Sequence, residues 1–305
     1  MTSTPPPSGS EPLLRPELPD GLPPGRVPPE RPPSTRGGDG LPAWPPWAPF
    51  AAMLVTLGIA ILGATFGTVV ARLLGHDVSA GDPPPGVTIT GTFFQDGGLI
   101  LSAWLLARLT AGAPTAAQFG LRRLSALKGL GWMVATWVAF ILFSAVWAAA
   151  LGVTENDDLP QELGADDSTA ALVFVALLVC VAAPIAEELF FRGFCFTALR
   201  RWIGVAGGAI ATGVIFGAIH AGSADAVFLV PLGVFGALLC LLYHRTGSLI
   251  PCIVLHALNN ALALGVSQGW EAPQVIGVMI GAAAAVLALV LPFAARPAGP
   301  QPQAA

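Results

Sequence analysis

From Trp47 to Ala71 the chain carries no charged side chain. That stretch exceeds the roughly 20 apolar residues a helix needs to cross the hydrocarbon of a bilayer. Seven further apolar runs follow, at about Ile89–Leu109, Leu130–Leu151, Thr169–Leu199, Trp202–Ile219, Ala226–Tyr243, Leu249–Ser267 and Pro273–Ala295. Only 10% of the residues are charged and the mean hydropathy is +0.71, whereas soluble domains carry about 25% charge. So little charge cannot cover a water-facing surface, and much of the exterior must face lipid. The sequence predicts an all-α polytopic transmembrane helix bundle of about eight spans, over residues 47–296.

The loops give a second line of argument. Arg122, Arg123 and Lys128 lie between spans two and three, Arg200 and Arg201 between four and five, and Arg245 between six and seven. The alternate loops are acidic: Asp77 and Asp82, then Glu155, Asp157, Asp158, Glu162, Asp166 and Asp167, then Asp225 and Glu271. The positive-inside rule therefore places both termini in the cytoplasm of a multi-pass cell-membrane protein. Residues 1–46 hold 15 of the 29 prolines and no long apolar run, which predicts a disordered cytoplasmic tail. A short flexible tail is expected at 297–305. The net charge of -4 offers no basic patch, so nucleic acid is not an expected partner. The four cysteines, all in apolar stretches and without a C-x-x-C pair, read as buried small apolar residues.

Charge inside a bilayer costs several kcal/mol per group and needs a reason. Here it is concentrated between residues 184 and 260: Pro184-Ile-Ala-Glu187-Glu188-Leu-Phe-Phe-Arg192 in span four, Phe216-Gly-Ala-Ile-His220 in span five, and His256-Ala-Leu-Asn259-Asn260 in span seven. Glu188 and Arg192 are four apart, with the acid first, the favourable order for an ion pair on one helix face. Glu187 is rotated about 100° from Glu188. His256 and Asn260 share a face, and Pro184 removes a backbone hydrogen bond one turn before Glu187. Counted along their helices, Glu187 and His220 lie about 20 and 23 Å from the same membrane side. His256 comes out shallower, about 10 Å in, unless its helix is tilted or starts earlier.

A carboxylate sharing a water with a histidine can remove its proton. A second histidine with an asparagine can donate to a tetrahedral oxyanion. That set suffices for amide hydrolysis without a covalent intermediate. The same groups could instead hold a divalent metal such as zinc through Glu187, His220 and His256.

E-E-x-x-x-R, F-x-x-x-H and H-x-x-x-N on successive spans resemble the CAAX-protease and bacteriocin-processing family of intramembrane peptidases, also called the Abi or type II CAAX endopeptidase family. The resemblance covers about residues 169–265, with Phe119-Gly-Leu-Arg122-Arg123 similar to a recurring stretch of bacterial members. It implies an endopeptidase acting on a membrane-associated protein or peptide. It implies that Glu187 activates water with His220, that His256 and Asn260 hold the oxyanion, and that Glu188 and Arg192 support the site. It favours a glutamate-type mechanism without a cofactor over a metalloprotease.

Plainer readings stand beside these. Glu188 and Arg192 could be only a self-neutralising pair, and the four polar residues only interhelical hydrogen-bonding groups. Asp96, alone in span two, is as consistent with a structural role as with a place on the cavity wall, and Asn259 reads as a packing contact. Trp44, Trp47, Trp202 and Trp270 fit interfacial anchors. A transporter using the cluster as an ion relay and a non-catalytic immunity or scaffold protein are the competing functions. Absence of H-E-x-x-H, of G-x-S-G and of an intramembrane aspartate pair argues against other intramembrane proteases. The oligomeric state is not legible.

Overall fold

A computed structural model of the chain describes residues 42–79, 83–153, 159–221 and 223–296. Most of the expected N-terminal tail and all of the C-terminal one lie outside these residues. Ten α-helices are named in chain order: α1 (Ala48–Leu73), α2 (Pro85–Ala111), α3 (Ala126–Leu151), the short α4 (Leu159–Glu162), α5 (Thr169–Leu177), α6 (Ala183–Glu188), α7 (Thr197–Ala218), α8 (Ala226–Thr246), α9 (Ile250–Ser267) and α10 (Ala272–Val290). Two π-helical turns, Leu178–Ala182 and Leu189–Phe196, join α5, α6 and α7 into one run, Thr169–Ala218. No strand forms among the described residues. This is the all-α bundle expected, because inside lipid each segment must satisfy its own backbone hydrogen bonds.

Six helical runs are long and apolar enough to cross a membrane, and the 50-residue run Thr169–Ala218 is one of them. It folds back on itself at Ile203 and Gly204, where Gly204 takes φ +75°. Phe191 and Phe216 lie with ring centroids 5.1 Å apart, and Thr212 Oγ1 is 3.9 Å from Cys195 Sγ. On one straight helix residues 191 and 216 would be about 37 Å apart. The run is thus two antiparallel legs, as the sequence predicts from Arg200-Arg201. With α2, whose threonines, Gln95 and Asp96 dilute its hydropathy, the passes number eight.

Small residues let the passes approach closely. A Cβ on Gly213 of α7 would lie 2.5 Å from the Gly233 carbonyl of α8, and one on Gly217 2.5 Å from that of Leu229. Intramembrane packing favours such backbone proximity, since burial of apolar surface gives no drive within lipid. The α1–α2 pair adds a buried Thr56 Oγ1–Ser102 Oγ hydrogen bond of 2.8 Å. Leu54, Leu62, Phe66, Leu142, Val146 and Ile280 point outward from α1, α3 and α10, while α9 is the most enclosed span.

Two findings depart from expectation. Trp44 is 3% exposed and packs between Phe119 and Phe194, so it is a core residue and not an interfacial anchor. The Pro42 carbonyl accepts from Arg201 Nη1 at 2.8 Å; the stretch from Pro42 to Pro46 thus packs on the bundle and does not belong to a tail. Second, α9 starts beneath the surface. Ser248 and Leu249 are buried under the connection between α2 and α3, where Leu249 N–H donates to the Gly120 carbonyl at 2.8 Å. His256 nevertheless reaches the acids of α6, its Nδ1 lying 2.8 Å from Glu188 Oε1.

Candidate active site

The segment around Glu187 is not a regular helix, and Pro184 accounts for part of this. The Ala183 N–H donates to Leu178 O across the wider π turn. In that register the next carbonyl, Val179 O, would receive from residue 184, and proline has no N–H. Asn260 of α9 supplies the missing donor, its Nδ2 lying 2.9 Å from Val179 O. The proline expected to loosen the helix thus fixes Asn260 against it. π turns of this kind recur at functional sites.

Glu187 is 6% exposed and Glu188 is fully buried. Glu188 Oε1 accepts from Arg192 Nη1 at 2.7 Å and from His256 Nδ1 at 2.8 Å. Arg192 also donates Nη2–H to the Gly236 carbonyl of α8 at 3.1 Å and lies over the Phe216 ring at 4.6 Å. Glu188 therefore does more than neutralise Arg192, since it fixes the imidazole of a different span. The two ring nitrogens of His256 divide between the acids: Nδ1 faces Glu188, and Nε2 lies 3.8 Å from Glu187 Oε2. Phe216 and Phe235 pack edge-on against the ring at 5.9 and 5.6 Å.

His220 bonds through Nδ1 to the Phe216 carbonyl at 2.7 Å. A carbonyl only accepts, so Nδ1 carries the hydrogen and Nε2 is left with its lone pair. In both histidines a fixed Nδ1–H leaves Nε2 available for chemistry.

Glu187, His220, His256 and Asn260 all line one cavity of about 170 Å³, which Asp96 of α2 and Leu163 beyond α4 help to enclose. That is room for several waters, at about 30 Å³ each. Glu187 Oε2 has no hydrogen-bond partner in the protein, a costly state for a buried carboxylate oxygen unless water or substrate meets it. All the polar positions read from the sequence thus converge. Sequence reasoning missed the Glu188–His256 bond and the Val179 carbonyl. Neither could be read from spacing, because each joins residues at least 68 positions apart.

Residues 169–262, the segment that supplies Glu187, Glu188, Arg192, His220, His256 and Asn260, match the family model described as type II CAAX prenyl endopeptidase Rce1-like. Over that segment, 94 of the chain's 305 residues, the chain is similar to the CAAX-protease family. The matched segment sits in a bundle of helical runs long and apolar enough to cross a membrane. No curated protein and no solved structure matches the chain.

The set named for a metal, Glu187, His220 and His256, shares the cavity. Yet among the described residues no three His, Cys, Asp or Glu side chains converge as a metal-binding group.

Proposed function

We propose that the chain is an intramembrane endopeptidase that hydrolyses a peptide bond with a water activated by Glu187 and His220. The observation that carries this reading is the unpartnered Glu187 oxygen facing a cavity shared with His220, His256 and Asn260. Water in that cavity gives its proton to Glu187 as its oxygen attacks the scissile carbonyl, with the His220 Nε2 lone pair orienting it. In its imidazolium form His256 offers Nε2–H to the developing oxyanion, and Glu188 on the opposite nitrogen holds the added charge. Asn260 keeps one amide hydrogen on Val179 and has a second to donate. Donors fixed in advance cost little reorganisation as charge develops. When the C–N bond breaks, the proton on Glu187 passes to the departing amine. No cofactor is required.

The substrate is a protein or peptide held in or at the membrane, and both termini of the enzyme face the cytoplasm. The test is a comparison of membrane proteomes from cells expressing the wild type, Glu187→Gln or His220→Ala at equal levels. New peptide termini that vanish in both variants support the reading. Identical termini in all three would end it.

A further inference from the structure

The Rce1-like match begins at residue 169, well after α2, yet α2 contributes an acid to the same cavity. Asp96 is 6% exposed, and neither carboxylate oxygen has a hydrogen-bond partner. It lines the cavity with Thr92 and Gln95. Spacings of three and four put these three side chains on one face of α2. Farther along, that face continues as Leu99, Ala103 and Leu106, which pack into the cluster holding Phe190, Phe191 and Phe194. The α2 helix is thus pressed against the catalytic helix, and its polar strip begins where the cavity opens.

A carboxyl buried without a partner lowers stability, and nothing in the fold repays it. A substrate would. A peptide bond in a membrane can be attacked only where the backbone is unwound, so the N–H groups beside it have lost their helical partners and lipid offers no acceptor. The catalytic groups address the carbonyl side of the scissile bond, where His256 and Asn260 are donors. Acceptors for N–H groups have to come from elsewhere. Asp96 offers two bare oxygens, and Thr92 Oγ1, which donates to Thr88 O at 3.0 Å, keeps its lone pairs free.

We infer that Asp96 is a substrate-binding residue that accepts a backbone N–H of the peptide beside the scissile bond, with Thr92 and Gln95 extending the same docking strip. The inference rests on the peptidase reading and adds to it the wall against which the substrate backbone lies.

The experiment couples a change in the enzyme to a change in the substrate. A peptide spanning a Glu187-dependent cleavage site from the membrane proteomes is synthesised, together with copies N-methylated at one bond at a time around the cut. Each is assayed with full-length wild type, Asp96→Ala and Asp96→Asn in detergent. At one position N-methylation should lower kcat/KM of the wild type about 3- to 10-fold, the net worth of an ordinary hydrogen bond. The same methyl should change Asp96→Ala by no more than about twofold, the scatter expected of uncoupled sites. Asp96→Ala should also melt no lower than the wild type, because no native partner is lost. Equal methylation effects in both enzymes, or a lowered melting point of Asp96→Ala, would overturn the assignment. If no terminus depends on Glu187, the peptidase reading fails and takes this one with it. If termini do depend on Glu187 and the coupling is absent, only the role of Asp96 falls.

Discussion

His256 Nδ1 lies 2.8 Å from Glu188 Oε1, the oxygen that Arg192 Nη1 reaches at 2.7 Å. One buried carboxylate oxygen therefore ties the π-helical turn after α6 to α9. Its neighbour Glu187 keeps Oε2 without a hydrogen bond at the same site, 3.8 Å from His256 Nε2. Two adjacent acids in the sequence thus have separate duties, because successive helix positions point about 100° apart.

Glu187→Gln keeps the shape of the side chain and removes its basicity. Since Oε2 has no protein hydrogen bond to lose, the thermal midpoint in detergent should be nearly unchanged. Cleavage should fall about 10²- to 10⁴-fold, the usual worth of a general base. Full activity in this variant would remove Glu187 from the reaction.

Arg192→Met strands the Glu188 carboxylate in a fully buried position. Breaking a buried pair from one side costs about 3–5 kcal/mol, so chemical denaturation should show a large loss of stability together with loss of cleavage. Arg192→Lys should recover only part of it. Arg192 bonds Glu188 and the Gly236 carbonyl through two nitrogens of one planar group, which an ammonium cannot reproduce. A wild-type denaturation curve for Arg192→Met would show that the pair carries no structural weight.

Gly213→Val drives a side chain into the Gly233 carbonyl and Ala237 of α8. Overpacking of this kind costs about 1–3 kcal/mol. His220 lies seven residues farther on, in the turn just past the end of α7, so activity should fall along with thermal stability. Gly58→Ala serves as the control, because an added Cβ there meets nothing within 4 Å. Equal behaviour of the two variants would show that the α7–α8 contact is not close-packed in the membrane.

Cysteine labelling tests the orientation. The native thiols Cys180, Cys195, Cys240 and Cys252 are buried, which keeps the background low. In intact cells a membrane-impermeant maleimide should label Asp77→Cys and Glu271→Cys, and should reach Lys128→Cys only after permeabilisation. The reverse pattern would place the termini outside.

Much of this architecture is written locally. The eight passes can be read because each is a run of apolar residues of membrane-crossing length, and the turn at Gly204 because Arg200 and Arg201 mark a loop. The i, i+4 pair Glu188–Arg192 can be read from helical spacing alone. Asp96 was ambiguous for the opposite reason. A single acid in a span looks the same in sequence whether it lines a cavity or is buried elsewhere, and only the placement of α2 against α6 separates the two. The clue available was the polar strip Thr92, Gln95 and Asp96 on one face of an otherwise apolar helix.

By itself the sequence determined that the chain crosses the membrane as helices, and which few polar side chains it carries into the lipid, since both follow from residue type and local period. The meeting of His256 with Glu188, the division of Glu187 and Glu188 between two tasks and the donor that meets the Val179 carbonyl were decided only in the folded bundle. Each depends on how far one helix slides and turns against another. That is set by packing among residues distant in the chain, such as Leu249 beneath Gly120 and Gly213 against Gly233, and no local pattern encodes it.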